Sequence, residues 1–310
     1  MTLPKSNSPL ETNKKTSSIG SRLAISKHGD RVIYKQKSKR KPVKSYENSE
    51  WLHSLSGRHI RIMCEFLEVQ ERLSKANILA TVLVCGSARS LNREDWNYHM
   101  GKCQKSLEDA NGLEEVEKAK EAVAKLKRIE WLCPFWDKTR ELCYRLMKWF
   151  QTEEAIQAIG KLLSEIPSPA CVTERPARAA GSSFTPSHAS SPVALCTGGG
   201  SGMMEAANKG AADAGSPSVG MGISLPFESG LNDYVDQDLG FEFHYFFTRK
   251  FWMLYTAVGL IATPGGMGTM DELMEVLTLK QCGKFKRDIP VVLFGGQFWK
   301  SVCNFDTLVE

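Results

Sequence analysis

The spacing of apolar residues divides the chain into a polar opening, a patterned body and one polar interruption. Between Trp51 and Leu73, Leu52, Leu55, Ile60, Ile62, Met63, Phe66, Leu67 and Val69 recur at broadly helical intervals. The run Ile78–Cys85 is apolar apart from Thr81 and ends in Gly86-Ser87-Ala88-Arg89, the form of a buried strand opening into a loop. Residues 113–131 carry Val116, Ala119, Val123, Leu126 and Ile129 on one stripe of a charged helix, and a second helix is expected from about Trp136 to Leu163. From residue 193 the alternation sharpens. Strand Val193–Thr197 meets Gly198–Gly202 and a helix through Met203, Met204, Ala206, Ala207 and Ala211. Strand Gly220–Leu225 follows, then helix 246–257, strand Val258–Thr263, the loop Pro264–Thr269, helix 270–281 and strand Pro290–Phe294.

Repeated strand, glycine loop and helix predict an α/β fold: a Rossmann-like doubly wound parallel sheet with helices on both faces. Between Pro167 and Pro192, five prolines and six serines fall in 26 residues, which reads as an insertion (167–192) unable to bury a core. Residues 1–45 read as a disordered basic arm and residues 46–310 as one domain. With 42% hydrophobic residues the body can bury a sizeable core, and wholesale disorder is excluded.

Charge sharpens this division. Residues 1–46 hold 12 Lys/Arg against Glu11 and Asp30, a net of +10, while the whole chain nets +5, so the body is mildly acidic. The cluster Lys35, Lys37, Lys39, Arg40, Lys41 and Lys44 could meet an anionic surface. Such runs are more often solvated tails, and nucleic acid is not expected as a partner. The start lacks the apolar core of a secretion signal. A cytoplasmic location is expected, with organellar targeting by the acid-poor, Ser-rich arm left open. No stretch approaches the ~18 apolar residues of a membrane span, so no membrane partner is expected. Nine cysteines without a CxxC pair signal neither a zinc site nor a disulfide framework. Cys85 and Cys196 read as small hydrophobes in strands, Trp131, Phe135 and Trp136 as packing, and His244 as either a surface residue or one near the site.

The chemistry lies in the two glycine loops. Each stands between an apolar strand and a helix, where backbone N–H groups and the positive helix end can converge on a phosphate. Glycine permits the close approach. Neither loop matches the dinucleotide fingerprint, since Glu205 holds the third glycine position of the first, and no GxxxxGK[ST] string exists. Behind the second loop stand Asp271, Glu272 and Glu275, which on spacing alone are acids suited to a helix start. Arg249-Lys250 upstream changes the balance. A cationic pair with a carboxylate around phosphate-binding loops suits cleavage of a phosphorylated sugar derivative.

The strings TGGGSGMMEAANKGA (197–211), ISLPFES (223–229), YFFTRK (245–250) and PGGMGTMDELMEVLTLKQ (264–281) resemble the Lonely Guy family. Its members were long labelled lysine decarboxylases and are regarded as nucleoside 5′-monophosphate phosphoribohydrolases. YENSEWLHSLSGRHIRI (46–62) and VLVCGSARS (82–90) resemble its longer-chain branch. The resemblance covers residues 46–310 apart from the insertion. It implies hydrolysis of the N-glycosidic bond of cytokinin ribotides or AMP to free base and ribose 5-phosphate, with no metal or redox cofactor.

By the same resemblance Glu272 and Arg249 are catalytic and Lys250 contacts substrate. Gly265, Gly266, Met267, Gly268 and Thr269 would cradle the 5′-phosphate, and Thr278 would be a further ligand contact. Glu228 would lie near the ribose or base, with Gly86, Ser87, Gly199 and Gly200 lining the cleft. A homodimer or higher homo-oligomer is implied. Relatives continue beyond the point where this chain stops, so a truncated C-terminus is expected. Two other readings stay open. One is a non-catalytic carrier of a nucleotide or phosphorylated cofactor on the same fold. The other is a pyridoxal-phosphate decarboxylase, which would need a Schiff-base lysine.

Overall fold

The computed structural model describes residues 41–155, 157, 158, 160, 191–225, 230–285, 288–305 and 307. Most of the basic arm, positions 167–190 of the insertion and Glu228 lie outside the described residues. The chain separates into two units, Met1–Asn48 and Ser49–Glu310. In the first, the described stretch is exposed and carries one turn of 3-10 helix, Ser45–Glu47.

The second unit begins with α1 (Ser49–His53) and α2 (Arg58–Lys75), then β1 (Ala80–Cys85). Three helices follow: α3 (Arg93–Glu108), α4 (Leu113–Ile129) and α5 (Cys133–Trp149). Next come β2 (Val193–Thr197), α6 (Met203–Asp213), β3 (Ser218–Ile223) and β4 (Gly240–Phe243). The chain then forms α7 (Phe246–Tyr255), β5 (Ala257–Ala262), α8 (Met267–Gln281), β6 (Val291–Leu293) and α9 (Gly296–Val302). The strands make one sheet, all pairs parallel, in the order β4-β3-β2-β1-β5-β6.

The apolar runs feed two cores because successive strand residues point to opposite faces. Leu83 and Cys85 of β1 and Ala194 and Cys196 of β2 join a core with α2, α7, α8 and α9. Ala80, Val82, Val84, Val193 and Leu195 join another with Cys143 and Met147 of α5 and Ala207 and Ala211 of α6. Helices thus cover both faces, as the doubly wound reading requires. The apolar stripe of the charged helix α4 packs as expected: Val123, Leu126 and Ile129 lie against Trp96 and Met100 of α3. The Trp96 indole N–H donates to the Leu126 carbonyl at 2.9 Å. Arg72 of α2 secures the sheet edge by donating to the carbonyls of Asp238 and Gly240, its guanidinium over the Phe241 ring at 4.2 Å.

Several boundaries differ from expectation. The first apolar stretch is two helices broken at Ser54–Gly57, not one. The helix expected from Trp136 to Leu163 starts earlier, with Pro134 in its first turn, and breaks after Trp149, the described residues among 153–160 being helical again. The helix expected from residue 270 begins at Met267, so Met267, Gly268 and Thr269 form its first turn rather than a loop. Helix α3 has no counterpart in the apolar pattern; the Asn92 side chain accepts the Asp95 N–H and caps its start.

Candidate active site

The sheet reverses direction of winding between β1 and β5, and their carboxyl ends bound the crevice where open α/β sheets bind ligands. The crevice floor is tightly stitched. Thr263 donates its N–H at 2.9 Å and its hydroxyl at 3.1 Å to the Cys85 carbonyl, and the Ser87 N–H donates to the Pro264 carbonyl at 3.0 Å. A Cβ on Gly86 would run into the Thr263 hydroxyl, so glycine is required there by close packing.

Arg249 enters from α7 and is buried, with 9% exposure. Its Nε donates to the Met221 carbonyl of β3 at 2.7 Å, and its Nη1 lies 3.4 Å from Glu272 Oε1 of α8. Its Nη2 occupies the space that a Cβ at Gly198 would claim, which is why the loop after β2 has no side chain at that point. One guanidinium therefore touches three carboxyl-end segments of the sheet. The start of α7 is itself fixed by Glu65 of α2, which accepts the His244 N–H at 2.9 Å and the Thr248 hydroxyl at 2.5 Å. His244 is exposed and engages through its backbone.

Glu272 is 7% exposed. Burial raises its carboxyl above the ordinary value, while Arg249 pulls the other way. Such a perturbed acid paired with a buried cation at a sheet's ligand crevice is a functional-site signature. Cys85 lies close by and is held as a neutral thiol by burial, with Glu272 adding to the effect. Burial likewise pushes Cys196 up to about 12. Both cysteines pack as small hydrophobes.

Around this pair the expected residues divide. Gly266, Met267 and Gly268 are exposed, Thr269 is buried, and Gly266, the residue just before α8, gives the helix no side-chain cap. Its first N–H groups and positive end are thus presented at the crevice mouth. The Thr269 hydroxyl folds back over Gly265. Thr278 is exposed further along α8 and donates its hydroxyl to the Met274 carbonyl at 2.7 Å.

Lys250 is committed to α8. Its ammonium lies 2.7 Å from Asp271 Oδ1 and 3.0 Å from Glu275 Oε2. Burial opposes its charge, but these two carboxylates outweigh it and hold the ammonium above its usual value.

The first glycine loop is wired inward. The Gly199 N–H donates to the Thr197 hydroxyl at 2.8 Å, which donates to Asn208 Oδ1 at 2.7 Å. Asn232 Nδ2 reaches the carbonyls of Gly199 and Gly200 and Asn208 Oδ1 at 2.9–3.1 Å. The Met203 N–H at the start of α6 donates to the Ser87 carbonyl at 2.9 Å, and the Glu205 carboxylate, raised by burial, receives the Gly202 N–H. The cleft beside this loop is lined by Gly198, Gly200, Gly222, Leu231 and Glu242. A larger open groove on the α3–α4 hairpin, lined by Ser106, Asp109 and Glu115, is composed of other residues and holds none of these groups.

Sequence reasoning missed Asn208, Asn232 and the Met221 carbonyl. No periodicity marks them, and their roles follow from contacts between distant segments. Residues 204–310 match the family model described as possible lysine decarboxylase, a stretch that contains Arg249, Glu272 and the loop before α8 but not the first glycine loop. A search of curated proteins finds no match for the chain. At this coarse level the family resemblance read from the motifs is supported for the C-terminal part of the chain.

Proposed function

We propose that this protein hydrolyses the N-glycosidic bond of nucleoside 5′-monophosphates, releasing free base and ribose 5-phosphate. The observation that carries the reading is the buried Arg249–Glu272 pair beside the uncapped start of α8. The 5′-phosphate would take the N–H groups of Gly266–Thr269. This anchoring positions the ribose, so a nucleoside lacking phosphate should react poorly. As the C1′–N bond breaks, its electron pair leaves with the base, which takes up a proton. Water adds to C1′ and loses one. Glu272 stabilises the cationic ribose and orients the water, and Arg249 anchors the sugar phosphate. The substrate would be a cytokinin ribotide or AMP. Phe246, Phe247 and Phe251, exposed on α7, support assembly as a homodimer or larger homo-oligomer.

A carrier of a phosphorylated ligand would gain nothing from a buried carboxylate at an anion site, which favours the enzyme. The decarboxylase label meets a specific obstacle. A Schiff-base lysine needs a readily lost proton, and Lys250, the lysine beside the pair, is held charged by Asp271 and Glu275. Pyridoxal phosphate does not suit that residue. The test is incubation with AMP and with isopentenyladenosine monophosphate, followed by chromatography for free base, with adenosine as control. Base release from the monophosphates and not from adenosine is expected. AMP binding without base release from any ribotide would overturn the reading.

A further inference from the structure

Helices α7 and α8 are joined twice, by residues adjacent in sequence. The inner rung is Arg249–Glu272. The outer rung is Lys250 with Asp271 and Glu275, one residue along from each inner partner and, for Glu275, one turn further on. We propose that Lys250, Asp271 and Glu275 are positioning residues, an outer rung that sets the register of α7 on α8 and thereby the facing of Arg249 toward Glu272. The inference rests on the hydrolase reading for its consequence and moves Lys250 from substrate contact to scaffold.

The inner rung does not hold itself. It is a single contact at 3.4 Å, not the short two-pronged fork that locks arginine to carboxylate, and the Arg249 Nε is spent on Met221. The outer rung is shorter and places one ammonium between two carboxylates on one face of α8, an i, i+4 pair. The Glu275 contact is one of charge, since its Oε2 is buried without a well-directed hydrogen bond. The Lys250 side chain is only 20% exposed and that of Glu275 33%, so solvent screens this contact less than an open surface pair, whereas Asp271 is more than half exposed. Two carboxylates on one ammonium leave the rung net negative, a poor receiver for a substrate phosphate.

The charged and titratable groups facing Glu272 are Arg249 and Lys250 from α7, Asp271 beside it on α8, and the neutral Cys85 thiol from β1. Lys250 lowers the Glu272 titration and Asp271 raises it. Removing either side of the rung should therefore damage geometry alike but move that titration in opposite senses.

The experiment compares Lys250→Met, the double variant Asp271→Asn/Glu275→Gln, the triple variant and Lys250→Arg, each as the whole chain. AMP hydrolysis is measured, Glu272 is titrated by carboxyl NMR, and Lys250→Met is solved by crystallography. Lys250→Met and the acid double should each lower kcat on the order of 10-fold, with KM changed by no more than about threefold. The triple should be no worse than the worse of the two, as expected of groups acting as one unit, and Lys250→Arg should restore most of the rate. Glu272 should titrate higher in Lys250→Met and lower in the acid double, and the Lys250→Met crystal structure should show the Arg249 guanidinium turned away from the Glu272 carboxylate. A raised KM in Lys250→Met alone would make Lys250 a ligand contact and overturn the proposal. Unchanged kcat in both would also overturn it, reducing the rung to a surface ion pair. If the unaltered protein hydrolyses no ribotide but Arg249 turns away from Glu272 in Lys250→Met, the rung stands and the hydrolase reading falls.

Discussion

The loops at 198–202 and 264–269 look alike on paper, each glycine-rich, each after a buried strand and before a helix. Their wiring is opposite. In the first, the Gly199 N–H, the Gly199 and Gly200 carbonyls and the Met203 N–H are all satisfied by Thr197, Asn232 and Ser87. In the second, Gly266 and the first two residues of α8, Met267 and Gly268, stand exposed, and no side chain caps the helix. Glycine marks where a backbone must come close to something, and only the surroundings say to what. The first loop is drawn to other parts of the protein, with Arg249 filling the space beside Gly198. The second faces outward, with the acid–arginine pair directly behind it.

The largest effect should come from the second loop's carboxylate. Glu272→Gln keeps the shape and removes the charge that favours a cationic ribose, so turnover should fall on the order of 10²–10⁴-fold. AMP affinity should hold or tighten, because a negative group near the phosphate is removed. Calorimetry alongside base release checks this; wild-type turnover in a folded variant would leave Glu272 as only a helix-start acid.

The corresponding cut in the first loop should show in stability instead. Asn232→Ala strips a donor from three acceptors, two of them backbone carbonyls of the glycine loop, and should cost about 2–3 kcal/mol, as for buried groups left without partners. Urea melts read the cost. The folded fraction should keep its rate within an order of magnitude; a collapse of kcat at unchanged stability would mean that both loops serve the chemistry.

Acidity gives a finer probe. Burial places the Glu272 titration above the ordinary 4.5, so the acid limb of kcat/KM should lie above that value. Arg249 favours the charged form, so Arg249→Met should move the limb higher still. The same shift has a stability consequence. A carboxyl that holds its proton more tightly when folded costs stability as pH rises from its unfolded value through its folded one. Melting curves across that interval should flatten in Glu272→Gln. The smallest effect is expected at Ser201, whose hydroxyl donates to the Ala88 carbonyl on the exposed rim. Ser201→Ala should stay within about 0.5 kcal/mol of the parent, measured by the same melts.

How much of this can be read from the chain follows from the range of the forces. Strand β2 has the same bounds in sequence and structure, Val193–Thr197, because continuous apolarity between proline and glycine is a local signal. Helix α3 leaves no such mark because only Trp96 and Met100 of its residues are buried, and two residues set no period. Helix α8 starts three residues ahead of its expected position because Gly268 and Thr269 are poor helix formers that tertiary packing overrides. Arg249 and Glu272 are legible as a motif, but the Lys250 partnership is not. Asp271 and Glu275 lie on another helix, beyond an intervening strand, and only the folded chain brings them within 3.0 Å.

The place of β1 in the sheet also bears on the order of assembly. It is hydrogen-bonded on both sides, yet Val193 and Ala257, where its neighbours begin to pair, lie more than one hundred residues downstream of it. Closing such long loops costs little more equilibrium stability than closing moderate ones, but non-local pairing slows folding. During synthesis β1 would wait roughly 10 s for its first partner, both of its edges open to foreign strands. Helices α3, α4 and α5 emerge in that interval and form from nearby contacts, so they are the material at hand to shield the central strand until the rest of the sheet arrives.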